Sequence, residues 1–170
     1  MFFQEVLGNT EIIREKINFR LAMRAVILNE NKILLIKTNK GDFIFPGGGV
    51  KSGETYNETL KREVIEESGY IIDTVGENLG TIVERKIDEF DKELMFDMTS
   101  MYYLCDLSGE KTSQNLDDYE RDQEFLPVWT TIDEALSKNE KIIEHEKDIM
   151  NPWVERETLA LRKVKEYISQ

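Results

Sequence analysis

The stretch Phe45–Tyr70, FPGGGVKSGETYNETLKREVIEESGY, constrains this chain more than any other. Pro46 ends a short apolar run, because it lacks an N–H and restricts Phe45. Three glycines then allow a tight turn whose backbone can approach a ligand closely. A helix is expected from about Glu54 to Ser68, with Tyr56, Leu60, Val64 and Ile65 facing inward and Gly69 as C-cap. Glu63, Glu66 and Glu67 are spaced to share one face of that helix. Carboxylates held together repel unless a cation sits among them, so the pattern reads as a metal site. The apolar stripe is expected to pack while the carboxylates stay available.

The flanking chain reads as short strands. Residues 1–16 lean toward a small hairpin about Gly8-Asn9, and residues 17–28 and Lys32–Lys37 read as a second, antiparallel hairpin. Phe43–Phe45, Tyr70–Asp73, Leu79–Arg85, Glu93–Leu107 and Glu124–Trp129 complete the strand set, with an interruption expected near Gly76. Ser108–Asp122 reads as a long polar loop. Thr131 and Glu134 predict a capping box opening a helix, and Pro152 precedes a last helix over about 153–168. One helix among the strands and others at the end fit α/β architecture, an α/β/α sandwich about a mixed sheet. A single domain over 1–170 is expected, with residues 1–16 as an N-terminal extension.

Charge narrows the partners. A formal net charge of -12 repels long nucleic acid but leaves a cation-dependent phosphate enzyme open. The lone Cys105 sits in an apolar run and reads as a buried thiol. No stretch has the roughly 18 consecutive apolar residues of a membrane span, and MFFQEVLGNTE lacks a basic head, so the cytoplasm is the expected location. His145 has no second histidine to work with and reads as surface.

The chemistry of the central stretch follows from its donors. Mg²⁺, with Mn²⁺ as the alternative ion, takes oxygen ligands in octahedral array. Carboxylates on one helix face and a glycine carbonyl supply them. Arg62 lies among Glu54, Glu58, Glu63 and Glu66, where its planar fork can orient carboxylates.

The spacing Gly48-x5-Glu54-x7-Arg62-Glu63-Val64-x-Glu66-Glu67-x-Gly69 resembles the box of the Nudix (MutT-like) hydrolases. Every fixed position is matched, and only Tyr70 departs, standing where an aliphatic residue is usual. The resemblance implies a Nudix-like fold and hydrolysis of the diphosphate linkage in a nucleoside diphosphate derivative, either an ADP-ribose-like compound or a nucleoside triphosphate. It implies Glu63 and Glu67 as the most direct metal ligands, with Glu66 and the Gly48 carbonyl contributing. Arg62 and Glu54 become supports. The general base stays open between Glu63 and a later acid, Glu124 first, with Asp122 and Glu120 as alternatives that otherwise read as surface.

Arg20, Arg24, Lys37 and Lys51 are candidates for meeting substrate, and Phe43, Phe45 or Tyr103 for stacking on a base. Trp129 and Trp153 read first as packing residues. A homodimer would form through the N-terminal strands or the last helix. Two other functions fit the same residues: a nucleotide-binding regulatory module without turnover, and an RNA 5′-end pyrophosphohydrolase.

Overall fold

The computed structural model describes residues 1–170. Five strands form one sheet: β1 (Phe3–Gly8), β2 (Lys16–Val26), β6 (Gly47–Gly49), β7 (Tyr70–Ile87) and β8 (Leu94–Lys111), in the order β1-β7-β8-β2-β6. The other four, β3 (Leu28–Asn29), β4 (Lys32–Lys37), β5 (Phe43–Ile44) and β9 (Leu126–Thr130), gather around β4. Pairing is mixed: β1 is parallel to β7 and β2 parallel to β8, while β7–β8 and β2–β6 are antiparallel.

Helix α1 (Tyr56–Ser68) covers one side, burying Leu60 and Val64 against Met23, Ala25, Leu34 and Cys105. Helices α3 (Ile132–His145) and α4 (Val154–Ile168) cover the other, where Leu136, Leu161 and Val164 meet Ile33, Leu35, Phe45 and Tyr102. Alternate residues of β2 and β4 feed the two cores, which is the period of a strand covered on both faces. The expected α/β/α arrangement with mixed pairing is observed.

Several local expectations change. The N-terminal hairpin does not form: β1 adds to the edge of β7 with Phe3 opposite Gly80, and Ile12 and Ile13 are exposed outside any strand. That partner lies far along the chain, so no local turn signal reports it. The second hairpin is reduced to Leu28–Asn29 against Lys32–Ile33. β2 instead lies along β8 over Lys16–Val26, and at Ala22–Arg24 its other edge is taken by the glycines of β6. Strand β7 is continuous past Gly76, although its register with β8 shifts between Val75 and Asn78. Much of the long polar loop is structured, because β8 runs to Lys111 and a short helix, α2 (Asp118–Asp122), follows. Thr131 caps α3, but Glu134 turns its carboxylate to the Thr130 hydroxyl, so the box is not reciprocated.

Side chains from α3 and α4 finish the edge that leads into the glycine turn. Asn139 accepts from the Phe43 N–H at 2.8 Å and donates to the Phe43 carbonyl at 2.9 Å, as a strand would. Glu157, fully buried, accepts from the Phe45 N–H at 2.8 Å and from Arg156 Nε at 2.8 Å, and Arg156 also reaches Glu84 at 2.6 Å. These bonds satisfy backbone groups that would otherwise be buried without partners. They also anchor the turn from behind.

Candidate functional site

Helix α1 starts at a complete capping box. Thr55 Oγ1 accepts from the Glu58 N–H, and Glu58 accepts from the Thr55 N–H at 2.8 Å. It ends at Gly69, whose φ of 73° is left-handed and whose N–H reaches the Ile65 carbonyl at 2.9 Å. A side chain at Gly69 would run into the Thr112 carbonyl. The ends therefore hold the helix phase, and with it the direction of the glutamates. The inward stripe is narrower than its apolar residues suggest. Tyr56 is 42% exposed, while Glu63 and Glu67 are themselves buried. The carboxylates are part of the packed face, not separate from it.

Glu67, only 3% exposed, accepts from the Gly47 N–H at 2.8 Å. Burial pushes its carboxyl well above the usual range, and the nearby Glu63 and Glu120 push the same way. Glu63 lies against the glycine turn. A Cβ on Gly48 would fall 2.5 Å from the Glu63 carboxylate carbon, so only glycine leaves the Glu63 carboxylate its place. Arg62 clamps the cluster: its Nε and Nη2 take both oxygens of Glu54 at 2.5 and 2.8 Å. Its Nη1 reaches Glu63 at 2.5 Å and Glu66 at 3.2 Å. The bidentate guanidinium bond holds the Glu54 carboxyl down at about 2.

The third member of the cluster comes from α2. Carboxylate oxygens of Glu63, Glu67 and Glu120 lie within 4.8 Å of one another. One Glu120 oxygen accepts from the Asp117 N–H at 2.8 Å, and Asp117 returns the bond to the Glu120 N–H at 2.8 Å. This capping box positions Glu120. Its signal, Asp117-x-x-Glu120, stands in the sequence, inside the stretch first read as loop. Burial, with Glu63 and Glu66 nearby, raises the Glu120 carboxyl.

The late-loop acid expected first, Glu124, is not brought in. It is exposed, with φ at 53°, and its N–H donates to Arg121 just past the end of α2. Asp122 is exposed as well. The helix phase turns Glu120 inward and leaves Asp122 and Glu124 at the surface.

Arg20 and Arg24 both line a cavity of about 350 Å³, which Tyr119, the residue before Glu120, lines as well. Arg24 is 8% exposed and donates to the Gly47 carbonyl at 2.5 Å, while its Nε is buried without a partner. Lys37 and Lys51 do not line it. Lys37 is exposed on β4 opposite Phe43 and Leu126, and Lys51 is exposed in the loop before α1. The aromatic candidates are also reassigned. Phe43 and Phe45 are buried core, Tyr103 packs on the α1 side, and the cavity instead has Tyr119 and Trp153.

The donor set suits a divalent cation: oxygen ligands only, three carboxylates at mutual reach, and a buried Glu67 that opposite charge would relieve. Glu63 and Glu67 are the residues placed to hold it, with the Glu120 carboxylate facing them. Glu66 stays on the rim, bonded to Arg62.

A glycine turn entering a carboxylate-bearing helix, carried on a mixed sheet between helices, defines a class. The NUDIX domain family model matches residues 18–154, and the chain belongs to the Nudix family. Among its relatives, an ADP-ribose pyrophosphatase of Methanocaldococcus jannaschii is 47% identical over 55 residues, covering 30% of this chain and 32% of that protein. Putative nudix hydrolase 1 of Caenorhabditis elegans is 36% identical over 77 residues, 41% of this chain and 21% of that protein. The chain thus matches about a third or less of the length of these relatives. Among solved structures, a NUDIX hydrolase from Nitrosomonas europaea superposes with a TM-score of 0.57 at 16% identity, covering 88% of each chain. A MutT NUDIX hydrolase from Burkholderia pseudomallei gives 0.55 at 23% identity, covering 86% of this chain and 98% of that one. These structures share the fold. No helix here is long and apolar enough to cross a membrane.

Proposed function

We propose that this chain is a pyrophosphohydrolase that uses Mg²⁺, or Mn²⁺ in its place, to cleave the diphosphate linkage of a small nucleoside diphosphate derivative. The observation that carries the reading is the convergence of Glu63, Glu67 and Glu120 oxygens within 4.8 Å, with Arg20, Arg24 and Arg156 lining a cavity that Tyr119, the neighbour of Glu120, also lines. The archaeal ADP-ribose pyrophosphatase supports an ADP-ribose-like substrate ahead of a nucleoside triphosphate, since its resemblance extends beyond a single motif's length.

A divalent cation, when bound, offsets charge on the diphosphate oxygens and acidifies a water. The chain's own residues do the rest. Arg62 fixes Glu63 and Glu54, and the Gly47 N–H fixes Glu67, so the carboxylates are aimed before substrate arrives. Arg24, tied to the Gly47 carbonyl, puts positive charge beside the phosphates. Glu120, one oxygen held by its capping box, takes the proton from the attacking water with the other. The water oxygen bonds to one phosphorus, the bridging P–O bond breaks, and the second phosphate leaves.

The test is incubation with Mg²⁺ and a panel of ADP-ribose, NADH, nucleoside triphosphates, dinucleoside polyphosphates and nucleotide sugars. Turnover that EDTA abolishes and Mg²⁺ restores is the expected result. An inert protein that still binds nucleotides would overturn hydrolysis in favour of a binding module.

A further inference from the structure

We propose that Tyr119 and Trp153 form the seat for the nucleobase, and that Asp42 is the positioning residue that aims Trp153. The proposal rests on the nucleotide reading above and deepens it.

The two rings stand 6.0 Å apart between centroids at 85°, an edge-to-face corner on the cavity wall. Edge-to-face pairing covers one face of one ring only, and Trp153 packs its inner side on Ile36, Ile44 and Phe125, so what the corner offers a planar base is the ring surface turned to the cavity. Tyr119 is 51% exposed, so core packing does not account for it. It also directly precedes Glu120, a member of the carboxylate cluster. Side chains on consecutive helical residues diverge, which leaves room for a ribose between diphosphate and base.

Trp153 is held more firmly than packing requires. Its Nε1–H donates to Asp42 Oδ2 at 2.8 Å. Asp42 is fully buried, and its other oxygen accepts from Thr38 Oγ1 at 2.5 Å and Asn151 Nδ2 at 2.9 Å. Burying a carboxylate is costly unless donors satisfy it. Here the donors come from the loop before β5 and the segment before α4, and one of them is the indole. The bracket spends a buried charge to fix one ring at a cavity mouth.

The charge of the cavity agrees. Its acids are engaged: Glu84 with Arg156, Glu89 with Lys86, and Asp88 with Asn18 and the turn amides. Arg20 and Arg24 face the cavity with no carboxylate bonded to either. An aromatic corner beside uncompensated arginines fits a nucleoside 5′-phosphate.

Calorimetric titration with AMP and with ribose 5-phosphate tests this without any turnover. AMP should bind, and Trp153→Leu and Tyr119→Leu should each raise its Kd about tenfold, the loss of one base–ring contact. Ribose 5-phosphate binding should change by less than about twofold, since it makes no such contact. Trp153→Phe, which keeps a ring but cannot bond Asp42, should recover only part of the affinity, and Asp42→Asn should weaken AMP selectively while the protein stays folded by circular dichroism. The half-exposed Tyr119 keeps the test open if Trp153→Leu fails to fold. No AMP binding, or equal loss for both ligands, overturns the base seat. Hydrolysis with unaltered AMP binding in the variants would leave the enzyme reading standing and remove this one. AMP binding that the variants weaken, in a protein without turnover, would do the reverse.

Discussion

The two ends of this site are built differently. The carboxylate end is nearly all local: Gly47, Gly48, Glu54, Arg62, Glu63 and Glu67 lie within one turn and one helix. The aromatic end is assembled from Asp42, Tyr119 and Trp153, which three separate segments contribute. Phosphate chemistry needs rigid donors at fixed spacing, and a single capped helix supplies that. A base seat needs only a wall of the right shape, which any neighbouring segments can provide. The two ends should therefore respond differently to substitution: kcat should follow the helix, and KM should follow the corner.

The largest expected effect is at Glu67. Glu67→Gln keeps an acceptor for the Gly47 N–H but removes the charge proposed to hold a cation. A loss of several kcal/mol of transition-state stabilisation corresponds to about 10³-fold or more in kcat. Melting temperature should hold steady or rise, because a buried charge is gone. A parallel fall in stability and activity would mean that Glu67 is structural.

The next sharpens the carboxylate end itself. Glu120→Gln should lower kcat by about 10²–10³-fold, the range for a general base, whereas Glu124→Gln should sit within about twofold of the wild type, as exposed substitutions away from a site do. Equal effects at both positions would place the base elsewhere. The difference is read in kcat with KM nearly unchanged.

That pair also marks how far the sequence could be read. The helix, its Gly69 cap and the clustering of Glu63 and Glu67 follow from spacing over a few turns, and the structure has them. Glu120 could be named only as an alternative behind Glu124, because its capping partner Asp117 stands among many polar residues, and polarity alone suggests loop. The β1–β7 and β2–β8 pairings were hidden for another reason, since parallel partners lie far apart and no turn announces them. The Asp42–Trp153 bond is the extreme case. Nothing near either residue shows that a tryptophan read as packing will be bonded to a buried aspartate 111 positions away.

Gly48→Ala probes the contact between turn and helix. Its Cβ would meet the Glu63 carboxylate at 2.5 Å, so the carboxylate must shift. A displacement of about 1 Å in a reacting group can cost about 10²-fold in rate, and kcat should fall by that order. AMP affinity should change little, because the atoms a Gly48 Cβ would meet belong to Glu63 and not to Tyr119 or Trp153. Loss of AMP binding on the same scale would mean that the two ends are one rigid unit.

The smallest effect is a pH dependence confined to the carboxylate end. Arg62 grips both oxygens of Glu54, and the Thr59 hydroxyl and Lys51 N–H add bonds at 2.9 and 3.1 Å. The carboxyl is thereby lowered from 4.5 to about 2 in the folded protein. Between those values the unfolded chain binds the proton and the folded one does not, so stability rises with pH across the window. The contribution is complete above about 4.5 and is lost as pH falls through about 2. Glu54→Gln should therefore melt below the wild type at neutral pH, and the gap should close on acidification through that window. Asp42→Asn, acting on the other end, should leave the gap between Glu54→Gln and its own background unchanged, since the two carboxylates share no partner. A gap that persists in acid would mean that the Arg62 fork holds Glu54 by shape and not by charge.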